Sequence, residues 1–178
     1  MLRLPERSDL EAFVRLCADP AVMRFIGRGR PLDRASAELA FEVMLAHWDQ
    51  HGLGLRSALE RATGAYLGFV GLAVVPPGGA APGETEIGWR LRCGAWGRGL
   101  ATEGARAVRD EARARLDSLV SVAQPANHAS RRVMDKLGMG FEREARGRYG
   151  EPVVVYRWRA GEAPATGVAP APAPSRNP

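Results

Sequence analysis

Apolar side chains return at three- and four-residue steps along several stretches of this chain, the mark of helices with one buried face. Leu10, Phe13, Val14 and Cys17 form the first stripe, with Ser8 as candidate cap and Asp19-Pro20 as its end. A polar, glycine-containing link leads to Asp33, a second candidate cap. Ala37, Ala40, Phe41, Met44, Leu45 and Trp48 then mark a longer helix, stopped by Gly52 and Gly54. Ala101, Ala105, Val108, Ala112 and Leu116 predict a third, reaching about Leu116, and Asn127 opens a fourth that ends at Gly138.

Elsewhere the period drops to two, or the apolar run is short and continuous, and strands are predicted. Leu2-Arg3-Leu4-Pro5 reads as the end of a first strand. Leu55 to Glu60 and Ala65 to Val75 form a hairpin turning at Ala62-Thr63-Gly64. Thr85 to Leu91 sets Ile87, Trp89 and Leu91 on one face and Glu86, Gly88 and Arg90 on the other. Leu119 to Ala123 is a short strand, and Phe141 to Arg146 with Pro152 to Arg159 makes a closing hairpin around Tyr149-Gly150. The proline- and glycine-rich run from Pro76 to Gly83 has nothing to bury and reads as a loop. Residues 160–178, rich in Ala, Pro and Gly, are predicted to be disordered, which leaves one folded domain over residues 1–159.

Composition narrows the class. At 178 residues, 46% hydrophobic and 25% charged, the chain suits a single globular domain. No apolar run is long enough to span a membrane, and the first residues carry no apolar signal segment. Cys17 and Cys93 have no metal-ligand spacing, which predicts a reducing cytoplasm and no metal site. His47, His51 and His128 do not cluster at ligand spacing either, and only His128 is close enough to the site described next to be worth testing. The net charge of +5 belongs to the body, because the tail after Arg159 carries only Glu162 and Arg176. Nucleic-acid binding is disfavoured: the arginines are scattered, aromatic residues are only 7%, and no groove-reading motif is present. A cofactor bearing several phosphates accounts for the charge better.

The place for such a cofactor is the turn between the strand ending at Leu91 and the third helix. Gly97 and Gly99 let the backbone turn tightly and let a ligand come close to it. The first N–H groups of the helix lack intrahelical acceptors, and its dipole makes that end partly positive. Strand, glycine turn and helix N-terminus together form an anion cradle, with Arg98 inside it as a phosphate partner. The turn lacks the Lys-Ser/Thr pair of a nucleotide-hydrolysing loop and the spacing of a dinucleotide fold.

Two motifs then point to a family. Trp96-Gly97-Arg98-Gly99-Leu100-Ala101-Thr102-Glu103 resembles W-G-x-G-x-A-T-E. Asn127 to Gly138, about 25 residues further on, resembles N-x-x-S-x-x-V-x-x-K-L-G. Asp19 to Gly27 and Glu86-Ile87-Gly88-Trp89 add to the likeness, which covers roughly residues 2–159. On these residues the chain resembles the GCN5-related N-acetyltransferase (GNAT) family, most closely the branch that acetylates ribosomal-protein N-termini. The resemblance implies an α+β acyl-CoA N-acyltransferase fold, with a central, mostly antiparallel mixed sheet of six to seven strands and about four flanking helices. It implies acetyl transfer from acetyl-CoA to a primary amine, either a protein or peptide N-terminus or a small molecule, by direct attack in a monomer or homodimer. The first two helices would wall the acceptor site, so the loop from about Phe25 to Arg34 should touch the substrate. No Ser-His-Asp or Cys-His arrangement suggests an acyl-enzyme.

The family assigns roles at matching positions. Gly97, Arg98, Gly99, Leu100, Ala101 and Thr102 would hold the pyrophosphate, and the Leu91 backbone would pair the pantetheine arm. Arg92 could add a phosphate contact; solvated surface charge is the alternative for both arginines. Trp96 stands where relatives often carry Gln or Arg, so backbone amides would supply most of the binding. Glu86 is the candidate for deprotonating the amine, with Glu84 as rival and an exposed strand glutamate as the plain alternative. Asn127 would contact the pantetheine arm and also suits a helix cap. Met134 occupies the position where many relatives place a tyrosine general acid, so Ser130 becomes the candidate proton donor, with Tyr149 and Tyr156 in reserve and a local capping role as the alternative. The missing tyrosine also admits a second class of function, a catalytically weak acyl-CoA-binding module for sensing or interaction.

Overall fold

A computed structural model describes residues 1–162, so all but the first residues of the expected C-terminal tail lie outside the described residues. Seven strands form one sheet: β1 (Leu2–Arg3), β2 (Leu55–Leu59), β3 (Tyr66–Val74), β4 (Thr85–Leu91), β5 (Ser118–Ala123), β6 (Gly140–Arg146) and β7 (Pro152–Arg159). Their order is β1-β2-β3-β4-β5-β7-β6. Every neighbouring pair is antiparallel except β4 and β5, which run parallel. A parallel step needs a crossover, and the third predicted helix provides it.

The helices are α1 (Leu10–Ala18), α2 (Pro20–Met23), α3 (Arg34–His51), α4 (Leu100–Ala112) and α5 (His128–Lys136). Several expectations change in detail. Asp19-Pro20 ends α1 but also starts the unpredicted single turn α2: Asp19 accepts from the Ala21 N–H at 2.9 Å, and proline suits the first helical position. Ser8 does not cap α1. It sits within a 3-10 turn, Arg7–Asp9, and its hydroxyl faces the Glu6 carboxylate. The α4 helix stops at Ala112 rather than Leu116, because tighter turns follow, although Leu116 still packs on the core. Asp33 caps α3 as expected, accepting from the Ser36 N–H at 2.7 Å.

Two apolar layers sandwich the sheet. On one face Ala105, Val108 and Ala112 of α4 with Met134 and Leu137 meet Val70, Ile87 and Leu91. On the other, Phe13, Leu16 and Cys17 of α1 and Phe41 and Met44 of α3 close over Phe69. Phe13 anchors that layer, edge-on to Phe41 and stacked on Phe69. A polar tie fastens the start of α1 to the sheet. Asp9, only 5% exposed, accepts from the Arg3 guanidinium at 2.7 and 2.8 Å, the Ser57 hydroxyl at 2.6 Å and the Glu6 N–H at 3.0 Å. Burial alone would raise the pKa of Asp9, but these hydrogen bonds outweigh it and hold the carboxyl below its ordinary value. His47 also serves the fold: its Nδ1 meets the Leu53 carbonyl and its Nε2 accepts from the Val74 N–H, both at 2.9 Å.

Candidate active site

The only matched position between β4 and β5 is Glu86 with Val120. Beyond it the two strands part, so the C-terminal half of β4 has an edge with no strand beside it. Which backbone groups face that opening follows from the alternation of an antiparallel pair. Arg92 donates to Leu67 across the β3 side, and Arg90 and Gly88 lie opposite Phe69 and Gly71 in the same register. The N–H and C=O of Trp89 and Leu91 therefore point the other way, into the opening. The Leu91 carbonyl is already taken, accepting from the Trp96 indole at 2.7 Å. That leaves the Leu91 N–H and both main-chain groups of Trp89. Trp89, two residues before Leu91 on the same strand, thus joins Leu91 in facing the opening, a placement that strand alternation makes legible in the sequence.

At the mouth of the opening lies the cradle. Gly97 and Gly99 have φ of 72° and 78°, a region that strongly favours glycine, and a Cβ at either would meet nothing within 4 Å. The space in front of the turn is therefore open. Gly99 is the N-cap of α4 and offers no side chain to its first amides, so those of Leu100, Ala101 and Thr102 are free to bind an anion. Gly99, Thr102, Glu103, Arg106 and Lys136 line a groove of about 540 Å³ that continues from this point. Arg98 is drawn away from the turn: its Nη2 donates to Glu60 of the β2–β3 turn at 3.0 Å. Arg92 is exposed and has no carboxylate partner among the described residues. The sequence could not show the Glu60 pairing, because it joins segments 38 positions apart.

Glu86 sits at the vertex where the strands part, half-buried. Desolvation pushes its pKa up to about 7, against the opposing pull of a backbone hydrogen bond from Val122. Its rival Glu84 is held differently. The Arg157 guanidinium binds its carboxylate and keeps the pKa below the ordinary value, so at neutral pH Glu84 is a structural anion.

On the far side, Asn127 caps α5, its Oδ1 accepting from the Ser130 N–H at 3.2 Å. The side-chain NH2 of Asn127 and the hydroxyl of Ser130 have no protein partner among the described residues. Met134 is 1% exposed and belongs to the core. Tyr156 is equally buried, with its hydroxyl accepting from Arg131 at 3.3 Å. Tyr149 lies on the turn between β6 and β7, half exposed, with Arg28 stacked 4.9 Å from its ring centre. The structure thus brings Glu86, the β4 edge, the cradle and the start of α5 around one opening, with Arg98 in the cradle turn paired to Glu60 and Tyr156 buried against Arg131. The described residues contain no cluster of His, Cys, Asp and Glu that could hold a metal, and no helix among them is long and apolar enough to cross a membrane.

Known proteins share this fold. A family model described as an acetyltransferase (GNAT) domain matches residues 1–140. The crystal structure of an acetyltransferase from Agrobacterium tumefaciens str. C58 superposes with a TM-score of 0.75 at 32% identity, covering 89% of each chain. The uncharacterized protein YkkB of Bacillus subtilis (strain 168) is 29% identical over 160 residues, 86% of this chain and 87% of its own. An FsC-acetyl coenzyme A-N(2)-transacetylase of Aspergillus fumigatus is 30% identical over 135 residues, 72% of this chain and 57% of that protein. With residues 1–140 matched by the family model and the fold shared with an acetyltransferase 32% identical in sequence, the chain belongs to the GNAT family of acetyltransferases.

Proposed function

We propose that the protein transfers the acetyl group of acetyl-CoA to a primary amine by direct attack, with Glu86 as the base. The observation that carries this reading is the opening itself: an uncapped helix N-terminus at its mouth, free strand amides along one wall, and a carboxyl that titrates near neutrality at its vertex. The open space in front of Gly97 and Gly99 fits a pyrophosphate, and the residues holding it would be Gly97 to Thr102 through their backbone amides. Arg92 would add a charge contact. Arg98 would do so only by leaving Glu60. When bound, acetyl-CoA supplies the thioester carbonyl that the amine attacks.

The chain's own residues divide the remaining work. The N–H of Leu91 and the main chain of Trp89 would align the pantetheine arm as a neighbouring strand would. The side-chain amide of Asn127 would hold the same arm from the α5 side. Glu86, through water, takes the proton the amine must lose; with a pKa near 7 it is both ionised enough and basic enough at neutral pH. The Ser130 hydroxyl would donate to the departing thiolate, since Met134 has no proton to give. Nitrogen as the acceptor atom is in keeping with the N-transacetylase named among the relatives, and a free protein or peptide N-terminus is the acceptor the sequence motifs suggest.

The test is a calorimetric titration with acetyl-CoA, followed by release of CoA thiol in the presence of amines and N-terminal peptides. Micromolar binding weakened about a thousandfold by Gly99→Glu, with thiol release slowed about a hundredfold by Glu86→Gln, is the expected result. Binding without turnover on any amine, and indifferent to Glu86→Gln, would instead mark a module that binds acyl-CoA without catalysis.

A further inference from the structure

The link between α2 and α3 and the turn between β6 and β7 meet across the opening. Gly27 lies against Tyr149, so closely that a Cβ there would come within 3.3 Å of the ring, and Arg28 stacks on the same ring. The link is anchored beside the end of β4: the Leu32 N–H donates to Cys17, and Ile26, Leu32 and Cys93 pack in one cluster. The β6–β7 turn lies at the end of β5, because Ala123 pairs with Val154 at the start of β7. Together they bridge the opening on the α1–α3 face, opposite α4 and its cradle.

This bridge is rich in unneutralised positive charge. Arg24, Arg28 and Arg30 on the link and Arg148 on the turn are exposed and have no carboxylate partner among the described residues. Its two acids, Asp33 and Glu151, accept from the backbone amides of Ser36 and Tyr149 and keep their charge, so the four arginines still leave the bridge net positive. By contrast, Arg34 is paired to Glu11 and Glu38, and Arg157 to Glu84 and Glu142. A second, independent observation lies beneath the bridge. Arg90 is on the same β4 face as Glu86, two positions beyond Gly88, whose missing side chain would meet nothing within 4 Å. The Arg90 guanidinium rests 5.0 Å from the Phe69 ring centre and donates only to the Cys17 sulfur, a weak acceptor, while its buried Nε has no partner. A partly buried cation without a counter-ion is costly, and an arriving anion removes that cost.

We propose that the acceptor amine carries an anionic group, carboxylate or phosphate, drawn in by Arg28, Arg30 and Arg148 and received by Arg90. This deepens the acetyltransferase reading and rests on it. The anion can come from acidic residues behind a free peptide N-terminus or from a small amine bearing a carboxylate or phosphate. Bridge and buried arginine supply long-range attraction and a bidentate contact, respectively.

The experiment measures kcat/KM by thiol release for peptides sharing one N-terminal residue but followed by Asp/Glu, Ser/Gly or Arg runs, and for phosphoethanolamine beside ethanolamine. The expected result is an acidic-over-basic preference of about tenfold or more in low salt, shrinking as salt is added. In the double variant Arg28→Glu/Arg148→Glu, whose changes are on the surface, that ratio falls toward one through KM. Arg90→Lys keeps the charge, loses the fork and weakens selection in the same direction. Preference within the peptide set identifies a peptide source, and preference only within the ethanolamine pair identifies a small molecule; both support the inference. Equal rates across charge, or a basic preference, overturns it. If acetyl-CoA binds but no amine is acetylated, the catalytic reading fails. Fluorescence anisotropy of the labelled acidic and basic peptides then decides the inference, with tighter acidic binding lost in the double variant supporting it and equal binding overturning it.

Discussion

The two walls of the β4–β5 opening are made of different materials. On the α4 side the proposed binding groups are backbone amides, set by two glycines and a helix that begins without a side-chain cap. On the α1–α3 side the groups proposed to act are charged side chains, Glu86 and Arg90 on β4 and arginines on two loops that meet at Tyr149. A backbone site recognises a shape that hardly varies, such as a pyrophosphate, and its geometry is written in a few consecutive residues. A side-chain site recognises whatever its residues happen to be, and is assembled from segments far apart in the chain.

The strongest way to break the comparison is at the cradle. Gly99→Glu places bulk and negative charge in space the wild-type turn leaves open, and acetyl-CoA affinity should fall about a thousandfold, or about 4 kcal/mol. Circular dichroism should show the fold retained. Gly99→Ala, which only strains the positive φ, should lower thermal stability by about 1 kcal/mol while keeping more of the affinity.

On the other wall, Glu86→Gln should lower kcat about a hundredfold, or about 3 kcal/mol, with acetyl-CoA binding intact by calorimetry. The rising limb of the parent's rate against pH, centred near 7, should disappear with the carboxyl. Stability should move oppositely. The folded chain keeps the Glu86 proton up to about pH 7, the unfolded chain only to about its ordinary 4.5, so burial of this acid costs stability progressively as pH rises between those values. Denaturant melts at pH 8 should show the variant more stable by ~1–2 kcal/mol, less than the full pKa gap because the residue retains some water.

Two smaller changes sharpen the contrast between local and assembled structure. Asp9→Ala removes the carboxylate that ties Arg3 and Ser57 together under α1 and should cost about 2 kcal/mol in urea melts. The tie strengthens above the ordinary carboxylate range and is lost as pH falls through the lowered pKa of Asp9, so parent and variant should converge in acid. Asn127→Ala should cost about 1 kcal/mol for the lost cap of α5. A drop in acetyl-CoA affinity beyond that expected from the stability loss would measure the contact of its amide with the pantetheine arm.

The sequence alone determined the parts whose physics is local. Helix periodicity, the caps Asp33 and Asn127, the limits of β4 and β7, and the glycine turn before α4 were legible because each depends on a few neighbouring residues. The motifs Trp96 to Glu103 and Asn127 to Gly138 named the family for the same reason. Where locality ended, the reading slipped. Ser8 has the residue type of a cap, but Asp9 stands at that position and is tied to Arg3 and Ser57, and the sequence does not show that Arg98 pairs with Glu60. Only the tertiary structure decided that Glu86, not Glu84, is the carboxyl near neutrality, because solvent loss and the Arg157 partner are set by packing between distant strands. It alone placed an unpaired Arg90 beneath a bridge of arginines. Desolvation and charge pairing depend on every group that folding brings within a few ångströms, and no linear spacing records that set.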